Sequence, residues 1–464
     1  MNTGVRHPSS FRDPSGFIFS RDGVLYRQVN RRYQPHYTRL MESGLYDALV
    51  ADGLLIPHEE ASLELALTEE ACAVLRPERL PFISYPYEWC FSQLRDAALL
   101  TLRIQQRALD FGMSLQDASA YNIQFYHGAP ILIDTLSFEL ERPDAPWVAY
   151  RQYCQHFLAP LALMSQTDMR LGKLLRVYLD GIPLALASSL LPWQTRISRT
   201  LGIHLHWQAK FEQSFTDAPA TTPTLAVRQE IGMSRAALQG MLDHLHTTIK
   251  ELRWEPKNTD WGAYYTFTNY SERAFAHKRE LVTDYLAQVQ PQTCWDLGAN
   301  DGTFTRLASE QGIESIAFDL DPEPVEYCYR RVCEQRETNL LPLVIDLTNP
   351  SAAIGWHGRE RQSLIERGPA DCLLALALVH HLAIGNNLPF SLIAAFLRDL
   401  GRMLIIEFVP KTDSQVQRML ATRDDIFADY TREQFEQQFT EYFTIQACTA
   451  IEGSERVLYL MSRV

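Results

Sequence analysis

Short apolar runs alternate with amphipathic stretches in the C-terminal part of the chain. The runs, each long enough for one buried strand, lie at 293–298, 315–321, 341–346, 370–378 and 402–409. Helix-like stretches separate them, and Asp321 followed by Pro322 is typical of a helix start. Continuous apolar strands between helices predict a parallel sheet that is covered on both faces.

The end of the chain departs from this alternation. Two strand-like stretches, 442–451 and 456–464, are separated only by the short polar turn "EGSE". Such a pair predicts an antiparallel hairpin at the edge of the sheet. We therefore expect an α/β fold with a Rossmann-like, mostly parallel seven-stranded sheet and a C-terminal antiparallel hairpin.

The first half of the chain has a different organisation. The segment 213–232 is rich in Thr, Ala and Pro, which predicts a loop or linker, and an amphipathic helix follows over 238–252. We place the domain boundary after residue 255. The two expected domains are an accessory α+β domain over 1–255 and the Rossmann-like domain over 256–464.

Composition narrows the classes of partner. The 464-residue chain carries a formal net charge of −13, which disfavours nucleic acid, because phosphate binding needs a basic surface. Its eight scattered cysteines have no metal-ligand spacing and are typical of reduced thiols, so no metal is expected. The sequence shows no secretory signal and no apolar run of membrane-spanning length. We expect a cytoplasmic protein without a membrane partner, and the oligomeric state stays open.

The stretch "CWDLGANDGTFT", 294–305, is the first candidate binding turn. Gly298 and Gly302 let the backbone approach a ligand closely, and a helix opening near Thr303 offers backbone N–H groups. Asn300 stands where a dinucleotide-binding G-x-G-x-x-G turn would have a glycine. Asp296, just before the turn, would repel a pyrophosphate and attract a cation. S-adenosylmethionine fits these features, since it brings an ammonium group and no phosphate.

Acidic residues also end the next two predicted strands. Asp319 ends the second strand, where a carboxylate can accept hydrogen bonds from both ribose hydroxyls. Leu320 follows it and would lie against an adenine ring. Asp346 ends the third strand and would meet the adenine amine. Three acids on three successive strands, each with a different atom to bind, strengthen the prediction of an S-adenosylmethionine site.

Residues 256–464 resemble the class I S-adenosylmethionine-dependent methyltransferases. The resemblance is carried by "DLGANDG", "FDLDP", "VIDLT" and the C-terminal hairpin. The whole chain also resembles a bacterial group of nodulation-type methyltransferases. The implied cofactor is S-adenosylmethionine, held by Asp296, Gly298, Asn300, Gly302, Asp319, Leu320 and Asp346.

The fourth strand supplies the candidate catalytic groups. It runs into His380 and His381, and a neutral histidine beside the methyl donor is suited to take a proton from a hydroxyl acceptor. His380 is the first candidate for this base and His381 the second. Glu407, at the end of the fifth strand, is a candidate pocket residue. An aromatic segment with Trp261, Tyr264, Tyr265 and Tyr270 is a candidate lid, with interdomain packing as the alternative.

The N-terminal half contains a second candidate site. Asp117 is followed five residues later by Asn122, and Asp134 comes after a hairpin-like stretch, a spacing found in protein-kinase-like phosphotransferases. Residues 15–210 resemble a reduced, aminoglycoside-phosphotransferase-like kinase domain. No G-x-G-x-x-G loop precedes the motif, and Arg27 is the cation nearest to the usual lysine position.

These features together predict a methyltransferase, an enzyme that acts on a hydroxyl or similar nucleophile of a small-molecule or glycan-like acceptor. The N-terminal domain would assist substrate binding. Two alternatives stay open. One is an ATP-dependent phosphotransferase centred on Asp117, Asn122 and Asp134, and the other is a nucleotide-binding protein without catalysis.

Overall fold

The computed structural model describes residues 4–211, 232–255 and 271–464. The chain divides into two compact units, Met1–Glu255 (unit 1) and Pro256–Val464 (unit 2). Apart from Gly232, the predicted linker 213–232 lies outside the described residues. The proposed lid residues Trp261, Tyr264, Tyr265 and Tyr270 lie outside them as well.

Unit 1 contains a five-stranded antiparallel sheet in the order β1-β2-β3-β5-β4 and two small two-stranded sheets, β6-β9 and β7-β8. Its strands are β1 Val5–Arg6, β2 Gly16–Arg21, β3 Val24–Asn30, β4 His58–Ala61, β5 Ala71–Pro77, β6 Met113–Leu115, β7 Ile123–Tyr126, β8 Ala129–Leu132 and β9 Phe138–Leu140. The β2–β3 turn contains Asp22 and Gly23, both with positive φ, as tight hairpin turns require.

The helices of unit 1 pack beside these sheets. They are α1 Gln34–Glu42, α2 Leu45–Ala51, α3 Phe91–Asp110, α4 Tyr150–Tyr153, α5 Ala159–Gln166, α6 Leu184–Leu190, α7 Arg199–Leu201 and α8 Arg235–Glu251. Helix α8 is the predicted amphipathic helix, and the Ser234 side chain accepts a hydrogen bond from the backbone N–H of Ala237 at its start.

Shorter helical turns join the elements of unit 1. The 3₁₀ turns are Arg31–Tyr33, Leu63–Leu65, Pro86–Glu88, Ala120–Asn122, Thr135–Ser137, Met169–Arg176 and Trp193–Arg196, and the π-helical turns are Cys154–Leu158 and Gly202–Trp207. The content of antiparallel strands and helices confirms the α+β expectation for this half.

Unit 2 is built on one seven-stranded sheet in the order β12-β11-β10-β13-β14-β16-β15. Its strands are β10 Thr293–Leu297, β11 Glu314–Asp319, β12 Leu340–Val344, β13 Ala370–Ala375, β14 Gly401–Phe408, β15 Phe443–Ala450 and β16 Val457–Arg463. Strands β10 to β14 are parallel, while β16 pairs antiparallel with both β14 and β15. The mostly parallel sheet and the C-terminal hairpin predicted from the apolar pattern are both confirmed.

Helices cover the two faces of this sheet, because its central strands are apolar on both sides. They are α9 Glu272–Val289, α10 Thr305–Ser309, α11 Pro322–Gln335, α12 Leu364–Arg367, α13 Phe390–Leu400, α14 Ser414–Leu420 and α15 Arg432–Phe439, with a 3₁₀ turn at Trp356–Gly358 and a π-helical turn at His381–Gly385. Helix α9 packs Val282 and Leu286 into a core with Cys294, Leu374 and Ile405 of the central strands.

Candidate functional site

A cavity of about 280 Å³ lies at the carboxyl ends of the parallel strands of unit 2. In a parallel sheet these ends meet at one edge, where the strand order reverses and ligands bind. The lining comes from α9, from the strand ends and from the loops that follow them. Its members are Phe275, Lys278, Asp296, Gly298, Ala299, Asn300, Phe304, Asp319, Leu320, Asp321, Ile345, Asp346, Leu347, Thr348, Leu376, Ala377, Leu378, His381, Leu382, Gly385 and Asn386.

Asp296, near the end of β10, is an almost fully buried carboxyl group in this lining. Its Oδ2 accepts a hydrogen bond of 2.6 Å from Oγ1 of Thr305. Burial raises the pKa of Asp296 to about 7, against the lowering effects of that hydrogen bond and of Lys278. The carboxylate is therefore poorly solvated, and a cation in the cavity would stabilise its charged form.

Asp319, at the end of β11, joins the glycine turn to the neighbouring strand. Its Oδ2 accepts from the backbone N–H of Asn300 at 2.8 Å, and its Oδ1 accepts from that of Asp321 at 2.9 Å. Burial raises its pKa to about 6, while these backbone hydrogen bonds lower it. Because each carboxylate oxygen can accept more than one hydrogen bond, both oxygens can still receive donors from a ligand.

Asp346 and Leu320 complete the lining along β11 and β12. Asp346 lies two residues beyond β12, and its Oδ1 accepts from the backbone N–H and the hydroxyl of Thr348, at 2.9 and 2.6 Å. Leu320 is 55% exposed even though it follows a buried strand, so its side chain offers an apolar surface to a ligand. The structure thus brings Asp296, Asp319, Leu320 and Asp346 to one cavity.

The two glycines of the turn have different surroundings. Gly298 has φ of +77° and lines the cavity, and a Cβ atom there would lie 3.2 Å from Cδ1 of Leu378. Gly302 also has φ of +77°, but it is not a lining residue, and a Cβ atom would lie 2.7 Å from Sγ of Cys328. Gly302 therefore allows close packing behind the turn, whereas Gly298 and Asn300 face the cavity.

The helix after the turn starts later than the sequence predicts. Helix α10 begins at Thr305 and spans five residues, and the backbone N–H of Thr303 already donates to Oδ1 of Asp301 at 3.1 Å. The N–H of Thr303 itself is therefore not available to an anion, and the helix opens two residues further on, at Thr305. A short polar side chain next to the turn satisfies that N–H group locally.

The two adjacent histidines are placed differently. His381 lines the cavity, whereas His380 is buried outside the lining, with a ring-centroid separation of 4.1 Å between them. Burial lowers the pKa of His381 to about 4 and that of His380 well below its usual value. Both rings are therefore neutral at pH 7. Among the described residues, Nδ1 of His380 has no hydrogen-bond partner.

Lys278 of α9 is a lining residue that sequence reasoning missed. It is buried, its Nζ donates to Oε2 of Glu407 at 2.7 Å, and it lies 4.5 Å from the ring centre of Phe304. Burial lowers the pKa of Lys278, and Glu407 counteracts this effect. The signal was present in α9, where Lys278 occupies the apolar stripe between Ala274 and Val282 at a spacing of four residues.

Glu407 supports the cavity from behind. The side chain is fully buried and is not a lining residue. Its Oε2 also accepts from the backbone N–H of Ala377 at 2.8 Å, and its Oε1 pairs with Arg456 at 3.3 Å. It thereby holds Lys278 and the loop after β13, whose Ala377 has φ of +50°. The expected pocket residue is thus a positioning residue.

The second candidate site, in unit 1, is a connected polar network. Asp117 hydrogen-bonds Asn122, and Gln152 donates to its Oδ1 at 2.7 Å. Asn122 in turn donates to Ser137, whose hydroxyl donates to Asp134 at 2.7 Å. Burial, followed by the charge of Asp134, raises the pKa of Asp117.

Asp134 also forms an ion pair with Arg27 of β3, and both side chains are largely buried. The structure therefore brings together Asp117, Asn122 and Asp134, as the motif spacing suggested, with a guanidinium already bound to Asp134. Within residues 4–211, 232–255 and 271–464, no cluster of three His, Cys, Asp or Glu side chains is arranged to hold a metal ion. All eight cysteines are described, and all are free thiols.

The strand order of unit 2, with β16 inserted antiparallel beside β14, is that of a Rossmann-like, mostly parallel α/β sheet that ends in an antiparallel hairpin. The cavity lies where that class of fold binds its ligands, at the carboxyl ends of β10, β11 and β12. No protein-family model matches the chain.

The chain is 36% identical over 471 residues to the nodulation protein NoeA of Rhizobium meliloti (strain 1021), and the alignment covers 99% of this chain and 96% of that protein. The chain belongs to the family of this nodulation protein.

Two solved structures show weaker similarity. The bifunctional kinase-methyltransferase WbdD matches 41% of this chain and 40% of its own, with 15% identity and a TM-score of 0.30. The magnesium protoporphyrin IX methyltransferase ChlM from Synechocystis PCC 6803, with S-adenosylhomocysteine bound, matches 41% of this chain and 84% of its own, with 16% identity and a TM-score of 0.29. The fold assignment rests on the strand order of unit 2.

Proposed function

We propose that unit 2 binds S-adenosylmethionine and transfers its methyl group to an acceptor. The observation that supports this most directly is the convergence of Asp296, Asp319 and Asp346 on one cavity from three adjacent strands. Three carboxyl groups form a poor site for a diphosphate, because like charges repel. They suit a ligand that offers an ammonium group, two ribose hydroxyls and an adenine amine.

The two ends of an amino-acid group find opposite charges in the cavity. Asp296 would accept from the ammonium, and Lys278 is the only Lys or Arg among the described lining residues and would attract the carboxylate. Asp319 would accept from the ribose hydroxyls, and Asp346 from the adenine amine. Leu320 and Ile345 would contact the adenine faces. These residues fit S-adenosylmethionine, which would supply an electrophilic methyl group when bound.

His381 is the proposed base, in preference to His380, because it is the histidine that lines the cavity. In the proposed step, the acceptor oxygen forms a bond to the methyl carbon while the carbon–sulfur bond breaks. The electron pair of that bond stays on sulfur, which gives S-adenosylhomocysteine, and the hydroxyl proton passes to the neutral ring of His381. Alignment of acceptor and methyl group would supply most of the rate enhancement.

We further propose that the acceptor is a small molecule or glycan that presents a hydroxyl or similar nucleophile, and that unit 1 assists its binding. The cavity itself supports a hydroxyl acceptor through the neutral histidine at its wall.

Calorimetry with S-adenosylhomocysteine tests the proposed binding. The wild-type protein is expected to bind it, and Asp319→Asn is expected to weaken binding about tenfold or more, since a neutral side chain forms weaker hydrogen bonds to the ribose. Asp371→Asn is the matched control. Asp371 belongs to the same sheet, but it lies at the opposite edge, where it accepts from the backbone N–H groups of Gln292 and Thr293.

Three results would count against the proposal. The first is that the wild-type protein shows no heat of binding with S-adenosylhomocysteine. The second is that Asp371→Asn weakens binding as much as Asp319→Asn does. Preference for a dinucleotide such as NAD over S-adenosylhomocysteine would also refute it, because the diphosphate would then have to lie over the acid-lined turn.

A second candidate function is phosphoryl transfer or nucleotide binding in unit 1. The hydrogen-bonded contact of Asp117 with Asn122, and their link to Asp134, favour it. The ion pair of Asp134 with Arg27 opposes it, because a metal-bound nucleotide would have to displace the guanidinium. Calorimetry with Mg-ATP on the wild type and on Asp134→Asn separates the two functions. Mg-ATP binding that Asp134→Asn abolishes, without S-adenosylhomocysteine binding, would establish the second candidate.

A further inference from the structure

Five large apolar side chains are exposed within eighteen residues of unit 1. Trp207 is 74% exposed, Trp193 66% and Ile197 77%, and Leu190 and Ile203 are exposed as well. We call these five residues the Trp193–Trp207 face. Clustered apolar exposure of this kind marks an interaction surface.

The elements that carry this face pack on one another through their buried sides. The ring of His206, in the π-helical turn Gly202–Trp207, hydrogen-bonds Ser188 of α6 at 2.7 Å and Thr195 of the 3₁₀ turn at 2.8 Å. His206 and Thr195 are both buried. These two hydrogen bonds hold α6, the Trp193–Arg196 turn and the Gly202–Trp207 turn to one another. Trp193 and Ile197 flank Thr195, and Trp207 follows His206.

The charge around the face differs from that of the whole chain. No Asp or Glu occurs from residue 181 to residue 211, although the protein carries a net charge of −13. The same stretch contains Arg196, Arg199 and Lys210, which are all exposed. Within residues 181–211, the apolar and aromatic side chains are thus accompanied by basic side chains and no acidic ones.

Anionic lipid surfaces are recognised by this combination of residues. Tryptophan rings prefer the boundary between headgroups and acyl chains, and nearby Lys and Arg side chains are attracted to anionic headgroups. Only charges within about one Debye length, roughly 8 to 10 Å, interact strongly with such a surface. The acidic remainder of the chain would then weaken the attraction less than the net charge suggests.

We propose that the Trp193–Trp207 face binds the surface of an anionic lipid bilayer and attaches the protein to it peripherally. None of the helices in the described part of the chain has the length and apolarity to cross a bilayer, so contact would be limited to the interface. A second copy of the chain is a less suitable occupant, because Arg196, Arg199 and Lys210 would then face their own counterparts. The proposal is independent of the methyltransferase proposal.

Co-sedimentation of the full-length protein with vesicles tests it. The wild type is expected to bind vesicles of phosphatidylcholine with phosphatidylglycerol, and to bind pure phosphatidylcholine vesicles only weakly. Trp193→Ser/Trp207→Ser is expected to lower the partition coefficient about tenfold or more, since two interfacial anchors are lost. Arg196→Gln/Arg199→Gln/Lys210→Gln is expected to lower it about 100-fold, at roughly fivefold lost for each of the three basic residues near the surface.

Trp356→Ser is the matched control, because Trp356 lies in unit 2 and is 73% exposed. It is expected to leave the partition coefficient unchanged. The charge variant retains the apolar side chains, so it tests the proposal even if the tryptophan variant folds poorly. Thermal unfolding of each variant verifies that the fold is retained.

Several outcomes would overturn the proposal. Wild-type protein that binds neither kind of vesicle would do so, as would binding that both multiple variants leave intact. A concentration-dependent mass that the tryptophan variant abolishes, without vesicle binding, would identify the face as an interface between copies of the chain. Binding that is equally strong on neutral and anionic vesicles would remove the anionic lipid from the proposal.

Discussion

Lys278 and Glu407 form a buried ion pair at the wall of the candidate cofactor cavity, with 2.7 Å between Nζ and Oε2. Helix α9 contributes the lysine and strand β14 the glutamate, and 129 residues separate them along the chain. The same carboxylate oxygen accepts from the backbone of Ala377. One pair therefore connects the helix over the cavity to the loop that carries His381.

Removal of the lysine charge is expected to destabilise the fold. Lys278→Met leaves the buried carboxylate of Glu407 with only part of the positive charge that balances it. We therefore expect a loss of about 3 kcal/mol in the free energy of unfolding. Lys278→Met/Glu407→Gln is expected to recover part of this loss, because the uncompensated charge is gone. Urea denaturation of the wild type and the variants measures both effects.

Arg273→Met is the control for this pair. Arg273 lies in the first turn of the same helix and pairs with Glu452 at 2.7 Å, but both side chains are largely exposed. Solvent screening leaves such an exposed pair with little effect on stability. A similar loss for Arg273→Met and Lys278→Met would show that burial of the Lys278–Glu407 pair has no special effect on stability.

The buried carboxyl group of Asp296 predicts how stability depends on pH. Its pKa in the folded protein is raised to about 7, so the folded state binds a proton more readily than the unfolded state. The resulting stabilisation is fully present below about pH 4 and is lost as pH rises through about 7. Asp296→Asn has no carboxyl group to titrate and does not lose this stabilisation. Its free energy of unfolding relative to the wild type is therefore expected to rise by about 1.4 kcal/mol per pH unit between about pH 4 and about pH 7.

Unfolding free energies measured between pH 5 and 8 test this dependence. The side-chain oxygen of an asparagine can still accept from Thr305, so the variant keeps the hydrogen bond while the charge is removed. Parallel stability curves for the wild type and Asp296→Asn would contradict a raised pKa. The affinity of the wild type for the cofactor is expected to depend on pH in the opposite way to its stability. It should fall as the pH drops below about 7, because an ammonium group binds the charged carboxylate.

The two histidines are expected to respond differently to substitution. His381→Ala should retain affinity for S-adenosylhomocysteine and slow methyl transfer by about 10²-fold, because it removes a base at the cavity wall. His380→Ala should mainly reduce stability, because it leaves a space in the core behind the site. Formation of S-adenosylhomocysteine with a panel of hydroxyl-bearing acceptors, together with calorimetry, measures the two effects.

An unchanged transfer rate in His381→Ala would remove that residue from the role of base. A loss of rate in His380→Ala, with stability and cofactor affinity retained, would restore the assignment that the sequence suggested first.

In unit 1, the ion pair of Arg27 with Asp134 is expected to stabilise the fold. Asp134→Ala leaves a largely buried guanidinium without this partner, and we expect a loss of about 3 kcal/mol in the free energy of unfolding. Arg27→Met/Asp134→Ala is expected to lose less than the sum of the single variants. A double-mutant cycle from denaturant unfolding gives this coupling.

Arg76→Met provides the control, because Arg76 lies on β5 of the same sheet and pairs with Glu59 at an exposed site. Its effect should stay below about 1 kcal/mol. Additive losses for Arg27 and Asp134 would contradict a stabilising pair.

The local pattern of the chain was sufficient to predict the elements of unit 2. Apolar runs of strand length predicted strands that are buried on both faces, and the turn "EGSE" between two such runs predicted the hairpin. The positions of Asp296, Asp319 and Asp346 at strand ends also followed from this pattern, because the carboxyl ends of parallel strands share one edge. Local periodicity contains this information, since it records which side of each element is buried.

Contacts between distant residues could not be derived in this way. The sequence singled out His380 first, but the loop after β13 turns His381 into the lining, and Gly302 packs on Cys328 behind the site. The pairing of Lys278 with Glu407, and that of Arg27 with Asp134, joins residues more than a hundred positions apart. Such contacts depend on how completed elements pack on one another, and a one-dimensional pattern of apolar and polar residues does not record that packing.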